Sequence, residues 1–179
     1  MPINPDNNLY PFNKNNYNDI VTLLIKQGTR KKIYAGEVIL KEGAPCDFFF
    51  YVEYGCFRAY RYANETEVNI GFSFKGDLDT CPYSFINDLP GIDIIEAVTS
   101  SSVIVIKKSH LTELEKVNPV AKQFVYFMLS SYIETLINRA LEYKTLNAEE
   151  IYLKMLNQQP QELSKVPLRH LASYIGITP

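Results

Sequence analysis

Short runs of β-branched and aromatic residues alternate with turn residues between positions 32 and 106. The runs lie at Ile33 and at residues 38–40, 48–52, 56–62, 68–74 and 103–106, and glycines, Asn64 and a Gly-Asp pair separate them. Many short strands at turn-limited spacing are typical of a small antiparallel barrel or jelly roll. The sequence therefore predicts an antiparallel β-roll in this part of the chain.

Helical periodicity flanks the β-roll on both sides. Residues 17–26 form a short amphipathic pattern before it, and Ser109 can cap a short helix over 110–117 after it. Asn118 and Pro119 then suit the cap and first turn of a helix that runs to about Lys144. We expect an α+β fold with a β-roll and N-terminal helix in residues 1–118, a long helix in 119–146 and an incomplete helix-turn-helix in 147–179.

The long helix carries apolar residues on more than one face. One face can pack on the β-roll, which leaves a second face that needs a partner. A second copy of the chain is an economical partner. We therefore expect a homodimer with Phe124, Met128, Tyr132 and Leu136 in its interface. Packing of the second face against the chain's own C-terminal helices is the alternative.

Residues 166–179 have the pattern of the first half of a helix-turn-helix. Pro167 suits a first helical position, and Gly176 suits the left-handed residue that ends the helix. Between them, one apolar face is made by Leu168, Leu171, Ala172 and Ile175. Thr178 and Pro179 suit the start of a second helix, so the recognition helix that enters the major groove of double-stranded DNA would lie beyond Pro179. An ordinary helix hairpin at the end of a globular domain is the alternative.

The first helix of such a motif crosses the DNA backbone. We therefore expect Arg169, His170 and Thr178 to contact phosphates, which positions a protein without reading sequence. The charge of the chain does not strengthen this expectation. Eighteen basic and twenty acidic residues leave a formal net charge of −2. This balance argues against broad electrostatic adhesion to nucleic acid or anionic lipid.

The order of elements and several short motifs resemble the Crp/Fnr family of bacterial transcription regulators. The motifs lie at residues 35–43, 50–55, 75–77, 96–98, 117–119 and 166–179, and the tail is similar to versions found in Bacteroidetes-type members. The resemblance implies a homodimeric DNA-binding regulator in which the β-roll senses a small effector or serves as a scaffold. It also implies a cytoplasmic protein, in line with a polar N-terminus and the absence of a long apolar run.

In that family, the excursion after the Gly-Asp turn binds cyclic nucleotides. A glutamate there binds the ribose, and an arginine followed by a small hydroxyl residue binds the phosphate. In this sequence Cys81 takes the place of the glutamate, and Gly91 and Ile92 fall near the places of the other two. A buried phosphate needs a charge-matched partner. The resemblance therefore predicts that cyclic AMP is not bound in the family's usual way.

A less charged effector remains compatible with the resemblance. The pocket would be lined by Thr80, Cys81, Tyr83, Ser84 and, from the long helix, Leu136. Hydroxyl, thiol and aromatic groups suit a small polar or mildly apolar ligand. A collapsed, empty pocket is an equally acceptable outcome.

Enzymatic and cofactor-dependent alternatives find little support in the sequence. Cupins are also small β-barrels, but they use histidine clusters to bind metal, and none of the predicted strands contains a histidine. An iron–sulfur sensor needs four thiolates, and the chain has three cysteines. We expect no catalytic residues, no metal and no cofactor. A module that binds ligands or proteins without touching DNA is the second functional hypothesis.

Overall fold

Two antiparallel sheets form the β-roll that the sequence predicts. The computed structural model describes residues 14–177. Its strands are β1 (Thr29–Ile33), β2 (Val38–Leu40), β3 (Phe48–Tyr54), β4 (Cys56–Ala63), β5 (Thr66–Phe74), β6 (Leu78–Asp79), β7 (Ile94–Ala97) and β8 (Ser101–Lys107). The first sheet has the order β1-β8-β3-β6, and the second sheet has the order β2-β7-β4-β5. The predicted α+β architecture with an antiparallel roll is confirmed.

Helices precede and follow the strands of the roll in the sequence, and one short helix lies between β6 and β7. They are α1 (Lys14–Gln27), α2 (Pro82–Asn87), α3 (Lys108–Val117), α4 (Ala121–Thr145), α5 (Ala148–Gln158), α6 (Pro160–Leu163) and α7 (Leu168–Ile175). The predicted long helix is α4, which has 25 residues and begins at Ala121, two residues after the predicted first turn at Pro119. Within residues 14–177, no helix is both long enough and apolar enough to cross a membrane.

Alternation along the strands divides their side chains between two layers. On β3, Phe49 points toward the helices, and its ring centroid lies 4.2 Å from that of Phe85 on α2. The next residue, Phe50, points between the two sheets, where its ring lies 5.2 Å from that of Phe57 on β4. Successive residues of a strand face opposite sides, so one aromatic run serves two cores.

The buried apolar side chains of the described residues form three clusters. The first packs α1, α3 and α4 on the first sheet, and it includes Leu24, Phe49, Ile106, Leu111, Phe124 and Phe127. The second fills the space between the sheets, and it includes Phe50, Val52, Phe57, Cys81, Ala97 and Val103. The third packs the C-terminal helices on the second sheet, and it includes Cys56, Phe72, Phe74, Leu163, Val166 and Leu171.

The start of α7 differs by one residue from the prediction, and its end agrees with it. Pro167, predicted at the first helical position, is instead the N-cap of α7, which begins at Leu168. Asn147 and Glu150 form a reciprocal capping box at the start of α5, with N···O distances of 3.0 and 2.8 Å. Gly176 ends α7 with a φ of 88°, a conformation that glycine adopts without a Cβ penalty. The prediction for Gly176 is therefore confirmed. Thr178 and Pro179 lie outside the described residues.

Candidate functional site

The polar groups of Thr80 and Ser84, predicted to line a ligand pocket, are already used inside the protein. The Thr80 hydroxyl donates to the carbonyl of Phe48 at 2.8 Å. The Ser84 hydroxyl donates to the carbonyl of Leu89 at 2.5 Å and accepts the amide N–H of Cys46 at 2.8 Å. Both side chains are buried. These hydroxyls therefore hold the segment between β6 and β7 to the roll.

Cys81, Tyr83 and Leu136 do not complete a pocket with them. Cys81 has no exposed surface and lies in the cluster between the sheets. Its thiol donates to Asp93 at 3.1 Å, and burial together with this carboxylate raises the pKa of the thiol. Tyr83 and Leu136 are exposed. The five residues therefore do not surround one cavity, which corrects the predicted pocket.

Aromatic rings occupy the interior of the roll. Phe50 and Phe57 are fully buried between the sheets, beside Val52, Ala97 and Val103. Such packing leaves a polar ligand no hydrogen-bond partners at that place, and a buried polar group without a partner is costly. The interior therefore serves as a core.

An ion pair lies in the segment where the family resemblance places the phosphate. Asp93 is buried, and its carboxylate accepts the Nε–H of Arg61 at 2.6 Å. No local sequence pattern points to this arginine, because it belongs to β4, 32 residues away along the chain. Pairing of β4 with β7 brings the two segments together. The guanidinium is already matched to a carboxylate, and an incoming phosphate would meet a buried negative charge.

We predict that cyclic AMP does not bind at micromolar concentration. The nucleotide would have to displace Asp93 from Arg61 and enter an interior that contains Phe50 and Phe57. Isothermal titration calorimetry at physiological salt should show no saturable heat, with a cyclic-AMP-binding regulator as the positive control. A micromolar dissociation constant would mean that the roll opens to a different packing.

A cleft of about 700 Å³ lies elsewhere, between the second sheet, α4 and the C-terminal helices. Phe72 and Phe74 of β5 form one wall, and Tyr174 of α7 contributes to another. The facing side of α4 presents Ser131, Thr135 and Asn138. A much smaller cleft lies under α4 beside α2 and includes Thr80, Met128 and Tyr132. Thr80 is thus the one predicted pocket residue that borders either of these two clefts.

The four residues predicted for the dimer interface point in different directions. Phe124 is fully buried in the first cluster, with its ring 5.6 Å from that of Tyr17. It is a core residue, and its place in the predicted interface is corrected. Met128 and Tyr132 are half-buried against the roll, whereas Leu136 is exposed. Sequence spacing could not separate these faces because apolar residues occur all around the helix.

A different set of α4 residues forms the exposed apolar surface. We call it the α4 strip, and it consists of Tyr126, Ile133, Leu136, Ile137 and Leu141. Tyr126 and Ile133 are seven residues apart, and Ile137 and Leu141 continue at intervals of four, which keeps them near one side of a helix. Ile133 and Ile137 are 54% and 56% exposed. Exposed apolar residues arranged in this way make the α4 strip a candidate interaction surface.

His170 does not lie where DNA could reach it. Its side chain is 7% exposed and faces the second sheet, where Nδ1 lies 3.2 Å from Nη1 of Arg58. The prediction that His170 contacts phosphates is therefore corrected. Arg169, its neighbour on α7, is exposed. The predicted contact at Thr178 falls outside the described residues.

Arg58 is the centre of a buried charge cluster on the second sheet. Its guanidinium contacts carboxylates of two neighbouring strands, Glu67 at 2.6 Å and Glu96 at 2.9 Å. It also stacks on the ring of Tyr60, with 4.0 Å between Cζ and the ring centroid. These groups and His170 come from β4, β5, β7 and α7, so only the tertiary structure brings them together.

Comparison with known proteins identifies the class of this fold. Residues 30–118 match the family model of the cyclic nucleotide-binding domain. No curated protein sequence matches the chain. Within residues 14–177, no three potential metal-ligating side chains lie together.

The structural neighbours are regulators of the Crp/Fnr family. FixK2 from Bradyrhizobium japonicum is 18% identical, with a TM-score of 0.73 over 84% of this chain and 78% of that chain. CLP from Xanthomonas campestris, described as a c-di-GMP responsive global regulator, is 16% identical, with a TM-score of 0.69 over 90% and 86%. The catabolite activator protein of Thermus thermophilus is 16% identical, with a TM-score of 0.59 over 97% and 80%. At these identities the likeness defines the fold: a cyclic nucleotide-binding domain followed by a long helix.

Proposed function

We propose that this protein is a cytoplasmic transcription regulator of the Crp/Fnr type, similar to Bacteroidetes-type members, that binds double-stranded DNA as a homodimer. The observation that carries the proposal is the order of its elements. A cyclic nucleotide-binding domain is followed by the long helix α4 and then by α7, which Gly176 ends in the manner of a helix-turn-helix. Regulators with this fold are the structural neighbours. The recognition helix would follow α7 in the chain.

The α4 strip supports the homodimer. It leaves large apolar side chains exposed along one helix, and a second copy of the same helix would bury them in an isologous interface. The close packing between the two sheets supports a role of the β-roll as a fixed scaffold and argues against a ligand bound in its interior. An effector, if the protein has one, would bind outside the space between the sheets.

We predict that Arg169→Ala weakens DNA binding equally for all sequences. The test protein is the chain extended through the next helix and compared with residues 1–179, which alone should bind duplex DNA poorly. Arg169 is exposed on the helix that crosses the DNA backbone, so its loss removes one phosphate contact. Fluorescence anisotropy over a range of salt should show a salt slope that is lower by about one.

Arg30→Ala is the matched control, because it removes an arginine that is also exposed but belongs to β1, outside the motif. It should leave affinity and salt slope unchanged. A change in base preference caused by Arg169→Ala would place this residue in the groove and move the motif by one element. An extended chain that dimerises without binding DNA would favour the protein-interaction module instead.

A further inference from the structure

The outer edge of the second sheet is covered by α7. Strand β5 pairs with β4 on one side, and no strand of the described residues pairs with its other side. The Ser173 hydroxyl accepts the amide N–H of Asn69 at 3.0 Å and donates to the carbonyl of Glu67 at 3.1 Å. A hydroxyl can both donate and accept, so one side chain takes the place of a neighbouring strand.

A bulge in β5 provides a second attachment. The register between β4 and β5 shifts between Ala59 and Tyr60, which leaves Ile70 as the extra residue. Arg139 of α4 donates to the carbonyl of Ile70 at 2.7 Å and to the carbonyl of Tyr174 at 3.0 Å. The Tyr174 carbonyl lies in the last turn of α7, where helical carbonyls lack intrahelical partners. One guanidinium therefore joins β5, α4 and the end of α7.

The third attachment depends on the protonation state of His170. A guanidinium only donates hydrogen bonds, so Nδ1 of His170 must accept from Arg58. Arg169 approaches the other ring nitrogen, with Nε 3.4 Å from Nε2. A protonated imidazole has no lone pair left and would add a third positive charge beside the two guanidinium groups.

Charged groups from every neighbouring strand surround this imidazole. They are Arg58 on β4, Glu67 on β5, Glu96 on β7 and Arg169 on α7 itself. Burial lowers the pKa of His170, and the two arginines lower it further, against the opposing influence of the two carboxylates. The docked helix therefore favours the neutral imidazole.

We propose that α7 is held on the edge of β5 by a latch that requires a neutral His170, and that protonation of His170 releases α7 from the roll. The latch consists of Ser173 on the β5 edge, Arg139 on the bulge, and His170 against Arg58. Its significance for regulation rests on the proposed function, because α7 would be the first helix of the DNA-binding motif. Mild acidification then raises the population in which this motif is released from the sensor, without unfolding the roll.

The direction of the effect follows from linkage. The pKa of His170 is lower in the latched state than in the released state, so the latch is complete above the ordinary histidine pKa of about 6.5. It weakens as the pH falls through that value toward the lowered pKa. The population of the released state should rise by up to about tenfold per pH unit in this window.

Exchange of the Asn69 amide with deuterium, followed by NMR on residues 1–179, tests the latch directly. This N–H is protected by Ser173 only while α7 is docked. After correction for the intrinsic rate, its protection should fall between about pH 7.5 and about pH 5.5, by up to about tenfold. Amides of the β3–β8 pair report global opening and should keep their protection.

His170→Gln and His110→Gln form a matched pair of variants. A glutamine in place of His170 would stay neutral and can still accept from Arg58, so H170Q should remove the pH dependence of Asn69 protection. H110Q deletes the other histidine and should retain it. Protection that does not change with pH, that falls equally in H170Q, or that is lost together with the β3–β8 amides would each overturn the latch. None of these measurements involves DNA, so the latch and the proposed function can fail separately.

Discussion

Replacing Ile133 and Ile137 with glutamate is expected to leave the protein monomeric. Both side chains lie in the α4 strip and are more than half exposed in the protomer. In a dimer built on this strip, each substitution would bury a carboxylate without a partner, on both copies. In the monomer the same carboxylates would reach water, so the fold should persist. Sedimentation velocity gives the mass, and circular dichroism confirms the fold.

Leu153→Glu on α5 is the control for this experiment. Leu153 is 46% exposed and lies outside the α4 strip, so its substitution carries the same chemistry without touching the interface. It should leave the mass unchanged. A dimer that survives the Ile133 and Ile137 substitutions would place the interface elsewhere on the molecule. Met128 is unsuitable as a test position because it is half-buried against the roll, where a charge would disturb the fold itself.

Arg58→Ala should lower the free energy of unfolding by about 3 kcal/mol. The arginine is 4% exposed, and it pairs with Glu67 and Glu96 on adjacent strands. Its loss would leave the carboxylates of Glu67 and Glu96 without this cation and would remove the partner of His170. Glu67 is partly exposed and can be resolvated, which places the effect at the lower end of the range for broken buried pairs. Urea unfolding followed by circular dichroism measures it.

Arg30→Ala serves as the comparison. Arg30 also pairs with a glutamate, Glu53 at 2.6 Å, but its side chain is 69% exposed. Exposed ion pairs contribute little because water and salt screen them. The free energy of unfolding of the Arg30 variant should therefore be close to that of the wild type. Equal decreases in the free energy of unfolding for both variants would show that the Arg58 cluster stabilises the fold no more than a surface ion pair does.

Much of the fold could be predicted from local patterns. The period of two in the strands, the glycine turns and the glycine at 176 each depend on residues close together in the chain. Alternation alone places Phe49 and Phe50 on opposite sides of β3. The prediction for the start of α3 is less accurate. The sequence indicates a Ser109 cap, whereas the helix begins at Lys108 without a side-chain cap. Helix ends vary by a residue or two for small energetic reasons.

The contacts made at the candidate sites could not be predicted from local sequence patterns. The absence of an arginine from the segment between β6 and β7 was visible in the sequence, but the ion pair of Arg61 with Asp93 was not. Helical spacing places Phe124 and His170 on faces of their helices, but it does not show which part of the protein each face contacts. Phe124 packs against α1 and the roll, and His170 meets Arg58. Both assignments depended on contacts between distant parts of the chain.

Sequence periodicity was enough to determine the roll, the long helix and the helix ended by Gly176, because hydrogen bonding and burial within each element follow from neighbouring residues. Tertiary structure decided which side of α4 is exposed, where α7 docks and which charges lie together. Strand pairing brings Arg58, Glu67 and Glu96 into one cluster, and docking of α7 adds His170. Desolvation and Coulomb interaction depend on distance in space, and for these residues that distance is set by the packing of the sheets and helices.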